Sequence, residues 1–181
     1  LYRFRKELLA SLMEEGHTVY ISIPAGNRVE DLKAMGCNYI ETNVDRRGIN
    51  PVTDLKLFFA YKKLIRSVKP DLVITYTIKP NIYAGLACSM LGIPYCANVQ
   101  GLGTAFQRKG LAQFVTALYR TALKKAKVVF FENEGNAQEF IERKILPREK
   151  ITVLPGAGIN LERYPLMAYP ENDRMHFLFL S

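Results

Sequence analysis

Short segments rich in β-branched residues alternate with longer amphipathic segments about six times along the chain. The strands predicted from this pattern lie at 17–24, 38–44, 72–77, 93–99, 127–131 and 151–154. Helices are predicted between them, at 29–35, 53–68, 80–91, 111–125 and 136–144, and an opening helix ends at Gly16. Such alternation predicts an α/β fold, a Rossmann-like parallel sheet with helices on both faces.

The helical spacing of apolar residues predicts which face of each helix is apolar. In the opening helix this face contains Leu1, Phe4 and Leu8, among others. In helix 53–68 the shared face holds five residues: Leu55, Phe58, Phe59, Lys62 and Ile65.

At each end of the chain, the alternating pattern predicts a strand that the sequence does not contain. The opening helix has no strand before it, whereas a doubly wound sheet usually begins with a central strand. Residues 164–174 have the composition of a linker, and the apolar strand predicted at 177–180 has nothing to pair with. We therefore expect a longer protein, with 1–165 forming one domain and 166–181 a linker plus the first strand of another.

The composition excludes several classes of protein. With 49% hydrophobic and 23% charged residues in 181, the chain is globular and long enough to bury a core. Its 3 cysteines form no C-x-x-C pair, which suits reduced core thiols and a cytosolic location. Its 2 histidines have no ligand-like neighbours, so we expect no metal. No apolar run is long enough for a spanning helix.

The net charge of +8 points to an anionic partner. Three classes fit: nucleic acid, an anionic membrane surface, or a phosphorylated substrate. Basic residues concentrate around one helix, with apolar residues interleaved: Arg108, Lys109, Arg120, Lys124, Lys125 and Lys127. This stretch is either an ordinary solvated helix face or a surface that meets anionic lipid. Nucleic acid is the least favoured partner, because no nucleic-acid module is recognisable.

In a parallel sheet, ligands bind at the carboxyl ends of the strands. After strand 72–77 come a hydroxyl, a cation and an amide, from Thr77, Lys79 and Asn81, at a predicted helix N-terminus that attracts anions. These residues predict a substrate site, although a capped helix start with a solvated lysine would have the same sequence.

Two further strand ends carry candidate site residues. After strand 93–99, Gln100 is followed by Gly101 and Gly103, which permit close approach of a ligand to the backbone but would also suit a simple turn. After strand 127–131 come Glu132 and Asn133, which are either substrate-binding or helix-capping residues.

Two tracts of the sequence resemble the acceptor-side domain of family 4 glycosyltransferases of GT-B fold. The first, at 75–106, reads TYTIKPNIYAGLACSMLGIPYCANVQGLGTAF, and the second, at 128–165, reads VVFFENEGNAQEFIERKILPREKITVLPGAGINLERYP. The most similar subgroup comprises bacterial transferases that extend undecaprenyl-diphosphate-linked sugars for capsule, O-antigen or glycoprotein glycans. The final FLFLS resembles the first strand of the family's donor domain.

This resemblance implies a retaining, metal-independent enzyme without a cofactor. It would move a hexose or N-acetylhexosamine from a nucleotide-diphosphate sugar, UDP-linked in our expectation, to a lipid-linked glycan. Many relatives carry a histidine where this chain has Gln100, so the role left for Gln100 is to position the donor sugar by hydrogen bonds. The resemblance also implies that most of the donor domain would follow these 181 residues, and we therefore expect them alone to be inactive.

A polyprenyl-linked acceptor would bring the enzyme to the inner face of the bacterial plasma membrane. We predict contact with the anionic surface through Arg108, Lys109, Lys124 and Lys125. Two other functions remain open: a nucleotide-sugar 2-epimerase of GT-B fold, and a flavodoxin-like binding module without catalysis, since such sheets host many functions.

Overall fold

The structure is a computed structural model that describes residues 2–44, 50–103 and 109–168, together with residues 106, 174, 177 and 179. Its helices are α1 (Tyr2–Glu14), α2 (Val29–Ala34), α3 (Pro51–Val68), α4 (Ile78–Leu91), α5 (Lys109–Leu123) and α6 (Glu134–Glu142). Its strands are β1 (Tyr20–Ile23), β2 (Asn38–Glu41), β3 (Val73–Tyr76), β4 (Tyr95–Val99), β5 (Val129–Phe131) and β6 (Ile151–Val153). Every predicted element within these ranges is present. The strands are shorter than predicted, and α3 to α6 each begin two residues earlier than predicted.

All strand pairs are parallel, as predicted, but they form two sheets. One has the order β1-β2 and the other β3-β4-β5-β6. Among the described residues no strand lies between β1 and β3, so each of these two strands is hydrogen-bonded to a neighbouring strand on one side only. Of the strand predicted at 177–180, only Phe177 and Phe179 are described, and neither forms part of a strand. Most of the unit predicted at 166–181 lies outside the described residues.

Helices flank both faces of the smaller sheet, as expected. Ile21 of β1 packs into an apolar cluster with Leu9 of α1 and Leu32 of α2. The next residues along the strands point the opposite way. On that side Ile40 faces a cleft that α3 lines through Leu57. The α/β Rossmann-like class predicted from the sequence is thereby confirmed.

The main core lies between the larger sheet and α3 to α6. Its strands contribute fully buried side chains such as Val129 and Phe131, which meet Tyr119 of α5 and Phe140 of α6. Tyr95 reaches across from β4 and donates a hydrogen bond from its hydroxyl to the carbonyl of Ala122. The interlocking of aromatic rings fixes α5 and α6 against the same face of the sheet.

The buried face of α3 differs from the predicted one. Leu55 and Phe59 are each 55% exposed. The inward face instead consists of Asp54, Leu57, Tyr61 and Ile65. The apolar spacing misleads because this face includes a carboxylate, Asp54, whose partner is distant in sequence.

A similar rotation occurs in α1. Phe4 and Leu8 are 61% and 41% exposed, whereas Arg5 and Leu9 are buried. Again a charged residue takes an inward position, because its guanidinium is paired inside the molecule. Leu1 lies outside the described residues.

Helix α4 begins two residues before the Pro80 predicted as its first residue, directly after β3. Proline is tolerated there because the first N–H groups of a helix have no partner within it. The predicted end is correct: Gly92 adopts φ 72°, a left-handed conformation that closes the helix. None of the described helices is both long enough and apolar enough to cross a bilayer.

Candidate active site at the carboxyl ends of the strands

The segments that follow β3 and β4 meet at one edge of the larger sheet. These strands are parallel neighbours, with Tyr76 opposite Asn98, so their carboxyl ends lie side by side. The two loops also touch, because a Cβ atom built on Gly103 would lie 2.9 Å from Ile78 Cδ1. The prediction that the loops bearing Lys79 and Gly101 share an edge is confirmed. Glu132 follows β5, the next strand in the sheet.

Thr77 occupies the junction between β3 and α4 in an unusual backbone conformation. Its φ of 69° and ψ of 163° belong to a region that glycine favours, and its side chain makes no capping hydrogen bond. Such a conformation in a β-branched residue costs about 1–3 kcal/mol. The helix start is therefore strained, unlike the well-capped start that the sequence also allowed.

Lys79 forms an ion pair with Asp54 at the start of α3. Its Nζ lies 2.7 Å from Asp54 Oδ1, and the side chains are only 14% and 11% exposed. Burial and the Asp54 carboxylate together raise the pKa of the neighbouring Tyr83 to about 12. Lys79 is thus a cation held in place, whereas a solvated lysine was the alternative reading of the sequence.

This ion pair borders a cleft of about 780 Å³. The cleft extends from the carboxyl ends of β1 and β2, at Pro24 and Thr42, to the flank of α3. Lys56 and Lys63 line it on the α3 side. An elongated ligand entering this cleft would meet three ammonium groups, of which only Lys79 has an ion-pair partner among the described residues, and also the carboxylate of Glu41.

Asn81 lies beneath the edge, where it braces the sheet. Its side chain is 1% exposed, and its amide Nδ2 donates to the carbonyl of Asn98 at 3.0 Å. The side-chain carbonyls of Asn81 and Asn98 are buried without a hydrogen-bond partner among the described residues. Because α4 begins earlier than predicted, Asn81 faces the core and reaches no open surface.

Glu132 forms an ion pair with Arg5 of α1. Arg5 Nη2 lies 2.6 Å from Glu132 Oε1, and the guanidinium carbon lies 5.2 Å from the centre of the Tyr76 ring. Burial, partly offset by the nearby Arg5 charge, raises the pKa of Tyr76. The pair ties α1 to the carboxyl ends of β3 and β5.

Asn133 is a helix cap. Its Oδ1 accepts a hydrogen bond from the backbone N–H of Asn136 at 2.8 Å at the start of α6. The sequence allowed either substrate binding or helix capping for Asn133. Its side-chain oxygen is used for capping.

Gln100 and Gly101 are exposed at the end of β4, beside the start of α4. A side chain added at Gly101 would meet no atom within 4 Å among the described residues. Gly103, in contrast, adopts φ +66° and abuts Ile78. The two glycines therefore differ in what they contribute to the fold.

This difference separates a ligand role from a folding role. We expect Gly103→Val to destabilise the protein by about 1–3 kcal/mol, because a β-branched residue resists positive φ. Gly101→Val should leave the melting temperature nearly unchanged and lower activity, because its space is open for a ligand. Thermal denaturation measures the stability of both variants, and sugar-transfer assays measure their activity. A Gly101→Val protein with normal activity would favour the simple turn.

Three of the four residues predicted to touch a membrane are described, and they lie near the two ends of α5. Lys109 begins the helix, and Lys124 and Lys125 follow its last turn. A helix of 15 residues separates them by about 22 Å. Arg108 lies outside the described residues. The outward side of α5 presents one large exposed apolar residue among those described, Phe114.

Sequence reasoning missed Arg5 and Asp54, the partners of two predicted site residues. A signal existed for Asp54, which lies three, seven and eleven residues before Leu57, Tyr61 and Ile65, and so shares their helix face. A carboxylate on a buried face requires a cation. Nothing in the local sequence pairs Arg5 with a residue 127 positions away. Among the described residues, no three His, Cys, Asp or Glu side chains could hold a metal ion.

Similar structures share this fold. A glycosyltransferase from Rickettsia africae superposes with a TM-score of 0.66 at 21% identity, covering 91% of this chain and 42% of the other. The UDP-GlcNAc 2-epimerase from Neisseria meningitidis bound to UDP-GlcNAc gives a TM-score of 0.51 at 15% identity, covering 83% and 43%. These likenesses establish one half of a GT-B fold, which transferases and epimerases share.

Sequence comparison is more specific than fold. The N,N'-diacetylbacillosaminyl-diphospho-undecaprenol alpha-1,3-N-acetylgalactosaminyltransferase of Campylobacter jejuni is 31% identical over 180 residues. The match covers 96% of this chain, which spans about half, 47%, of that relative. The family model described as glycosyl transferase 4-like matches residues 2–133. That match extends over most of the chain, which therefore belongs to the glycosyl transferase 4-like family.

Proposed function

We propose that the whole protein transfers a hexose or N-acetylhexosamine from a nucleotide-diphosphate sugar to a lipid-linked glycan. The observation that carries this proposal is the 31% identity, over nearly the whole chain, to a transferase whose name specifies an undecaprenol-linked substrate. Capsule, O-antigen or glycoprotein glycan synthesis would use such a reaction. We further propose a UDP-linked donor and a retaining, metal-independent mechanism.

The edge geometry supports a role in holding the acceptor and orienting the donor. The N-terminus of α4 favours a negatively charged group, such as a diphosphate, and Lys56 and Lys63 line the adjoining cleft without an ion-pair partner among the described residues. The exposed amide of Gln100 offers a donor and an acceptor to sugar hydroxyls. Gly101 leaves room for a ligand close to the backbone. Thr77, Glu132 and Asn133 border this surface, and Asn81 supports it from below.

The epimerase alternative has less support. Proton abstraction from a sugar carbon requires an acid–base group at the carboxyl edge. His17 is described, but it lies between α1 and β1 at the opposite edge, and 63% of its side chain is exposed. Of the described carboxylates near the site, Asp54 and Glu132 are paired with cations, and Glu41 lines a cleft with no histidine among its described lining residues. A module without catalysis would not account for the family match.

A transfer assay on the whole protein tests this function. We expect sugar from a UDP-N-acetylhexosamine to appear on an undecaprenyl-diphosphate-linked acceptor. Gln100→Ala should lower kcat/KM about tenfold, the value of one hydrogen bond to the substrate. Gln113→Ala, which removes an exposed amide from α5, is the matched control. Conversion of the nucleotide sugar to an epimer without any acceptor would establish the alternative instead.

The same proposal assigns the protein to the inner face of the bacterial plasma membrane, as a peripheral protein. Polyprenyl carriers stay in the bilayer, so the enzyme must reach its surface. Anionic lipid would attract the net charge of +8. The segment bearing Arg108, Lys109, Lys124 and Lys125 is one candidate for this contact, and the outward face of α3 is the other.

A further inference from the structure

We infer that the outward face of α3 is the surface that docks on the anionic bilayer. Two groups of side chains form this docking face. The apolar group consists of Val52, Leu55 and Phe59, and the basic group consists of Lys56, Lys62, Lys63 and Arg66. The inference rests on the proposed function, which requires the enzyme to meet a lipid-linked acceptor.

The apolar group is a continuous exposed stripe. Val52, Leu55 and Phe59 are 63%, 55% and 55% exposed. Their spacing of three and four residues stacks them on one side of the helix. Exposed apolar side chains in such a row cost free energy in water and mark an interaction surface. α3 therefore presents a hydrophobic surface in addition to the one that it packs into the core.

The basic group continues the same face toward the end of the helix. Lys62, Lys63 and Arg66 lie one to two turns after Phe59, and Lys56 flanks the stripe. None of the four forms an ion pair with a residue that the structure describes. The single carboxylate of α3, Asp54, points inward to Lys79. The charged residues of the docking face are thus all cationic. They attract acidic phospholipids and would repel a protein surface of the same positive charge.

The position of the docking face suits a lipid-linked substrate. α3 connects the carboxyl edge of the small sheet to the amino end of β3, so its apolar end lies beside the candidate site. Lys56 and Lys63 both belong to the docking face and line the cleft that leads to Lys79. A headgroup held at the bilayer surface would therefore enter the cleft without the lipid leaving the membrane.

The exposed apolar residues of α1 and α5 lack this combination. Phe4 and Leu8 on α1 lie across the small sheet from α3, beside the exposed carboxylate of Glu7. On α5, Phe114 stands without a second large exposed apolar residue among those described. An interfacial helix combines an apolar stripe with adjacent cations, and α3 has both.

Sedimentation of the whole protein with vesicles tests the inference. One set of vesicles contains phosphatidylglycerol and phosphatidylcholine, and the other phosphatidylcholine alone. The triple variant Lys56→Gln, Lys63→Gln, Arg66→Gln should bind the anionic vesicles about a hundredfold more weakly, since each cation near the surface contributes about fivefold. The matched control removes the same charge elsewhere, with Lys124→Gln, Lys125→Gln and Lys127→Gln, and should bind nearly as the parent does.

The apolar stripe has its own test. Leu55→Ser combined with Phe59→Ser should weaken binding to both kinds of vesicle at least tenfold, because burial of these side chains does not depend on lipid charge. Phe114→Ser is the control. Circular dichroism and melting temperature should stay unchanged in all variants, because the altered side chains are at least partly exposed.

Several results would overturn the inference. Equal losses in the α3 and α5 triple variants would mean that net charge alone drives binding, and a larger loss in the α5 variant would place the contact there. A change in oligomeric state without a change in vesicle binding would make the stripe a protein interface. Transfer to a water-soluble acceptor, together with no vesicle binding, would refute docking and leave the proposed function intact. Vesicle binding without any transfer would refute only the function.

Discussion

Phe140→Ala is expected to lower the free energy of unfolding by about 3–5 kcal/mol, the largest stability loss that we expect from a single substitution. The ring is fully buried and meets Phe131 and Tyr119 edge to face, with centroids 5.0 Å and 5.1 Å away. Removing it leaves a cavity at the point where α5, α6 and β5 meet. Urea denaturation followed by circular dichroism measures the loss.

Phe114→Ala is the appropriate comparison. It makes the same change in an aromatic residue of α5 that is 55% exposed. The expected effect is within about 0.5 kcal/mol, as for most surface substitutions. Similar losses in the two variants would contradict the position of Phe140 at the centre of the core.

The 181 residues on their own are expected to transfer no sugar from any common nucleotide sugar. Catalysis by positioning requires donor and acceptor to be held together. The candidate site described here is a single edge of the sheet, with the Lys79–Asp54 ion pair and an exposed Gln100. In the relative from Campylobacter jejuni, the matched region is 47% of the chain. Radiolabelled donors and a lipid-linked acceptor provide the measurement.

The whole protein is the control for this experiment, under identical conditions. Turnover by both would show that the strand ends described here suffice for catalysis. Turnover by the whole protein alone would support the division of labour implied by the family resemblance.

The order of the elements could be predicted because it depends on local signals. Alternation of β-branched and amphipathic segments is visible within windows of about ten residues. Gly16 and Gly92 mark helix ends by their own conformational freedom. The carboxyl-edge position of Thr77, Gln100 and Glu132 follows directly from that order, since all parallel strands end at the same edge.

Unlike the order of the elements, the buried faces of the helices could not be predicted from local sequence. Helix α3 has apolar residues on two faces, with Leu55 and Phe59 on one and Leu57 and Ile65 on the other, and either face could pack against the core. Asp54 decides the outcome, because its carboxylate is neutralised by Lys79, 25 residues later. Spacing within one helix contains no information about such a partner.

The same limitation affects individual site residues. Asn81 was predicted at the edge from its distance to β3, yet an earlier helix start turns it toward Asn98. Asn133 satisfies a helix N-terminus, a role that its sequence position also allowed. Those residues whose environment is set by their own strand, such as Gln100, lie where the sequence predicts.

The strand order of the larger sheet has a consequence for folding. β3, β4, β5 and β6 pair in the order in which they occur, so each pairing closes a single strand–helix–strand unit. This is the lowest contact order that a parallel sheet allows, and low contact order accelerates folding. The β1–β2 unit has its own small apolar cluster, built around Leu9 and Ile21. Its backbone amides should therefore exchange with deuterium through local opening, whereas the amides of β4 and β5 should exchange only when the whole domain unfolds.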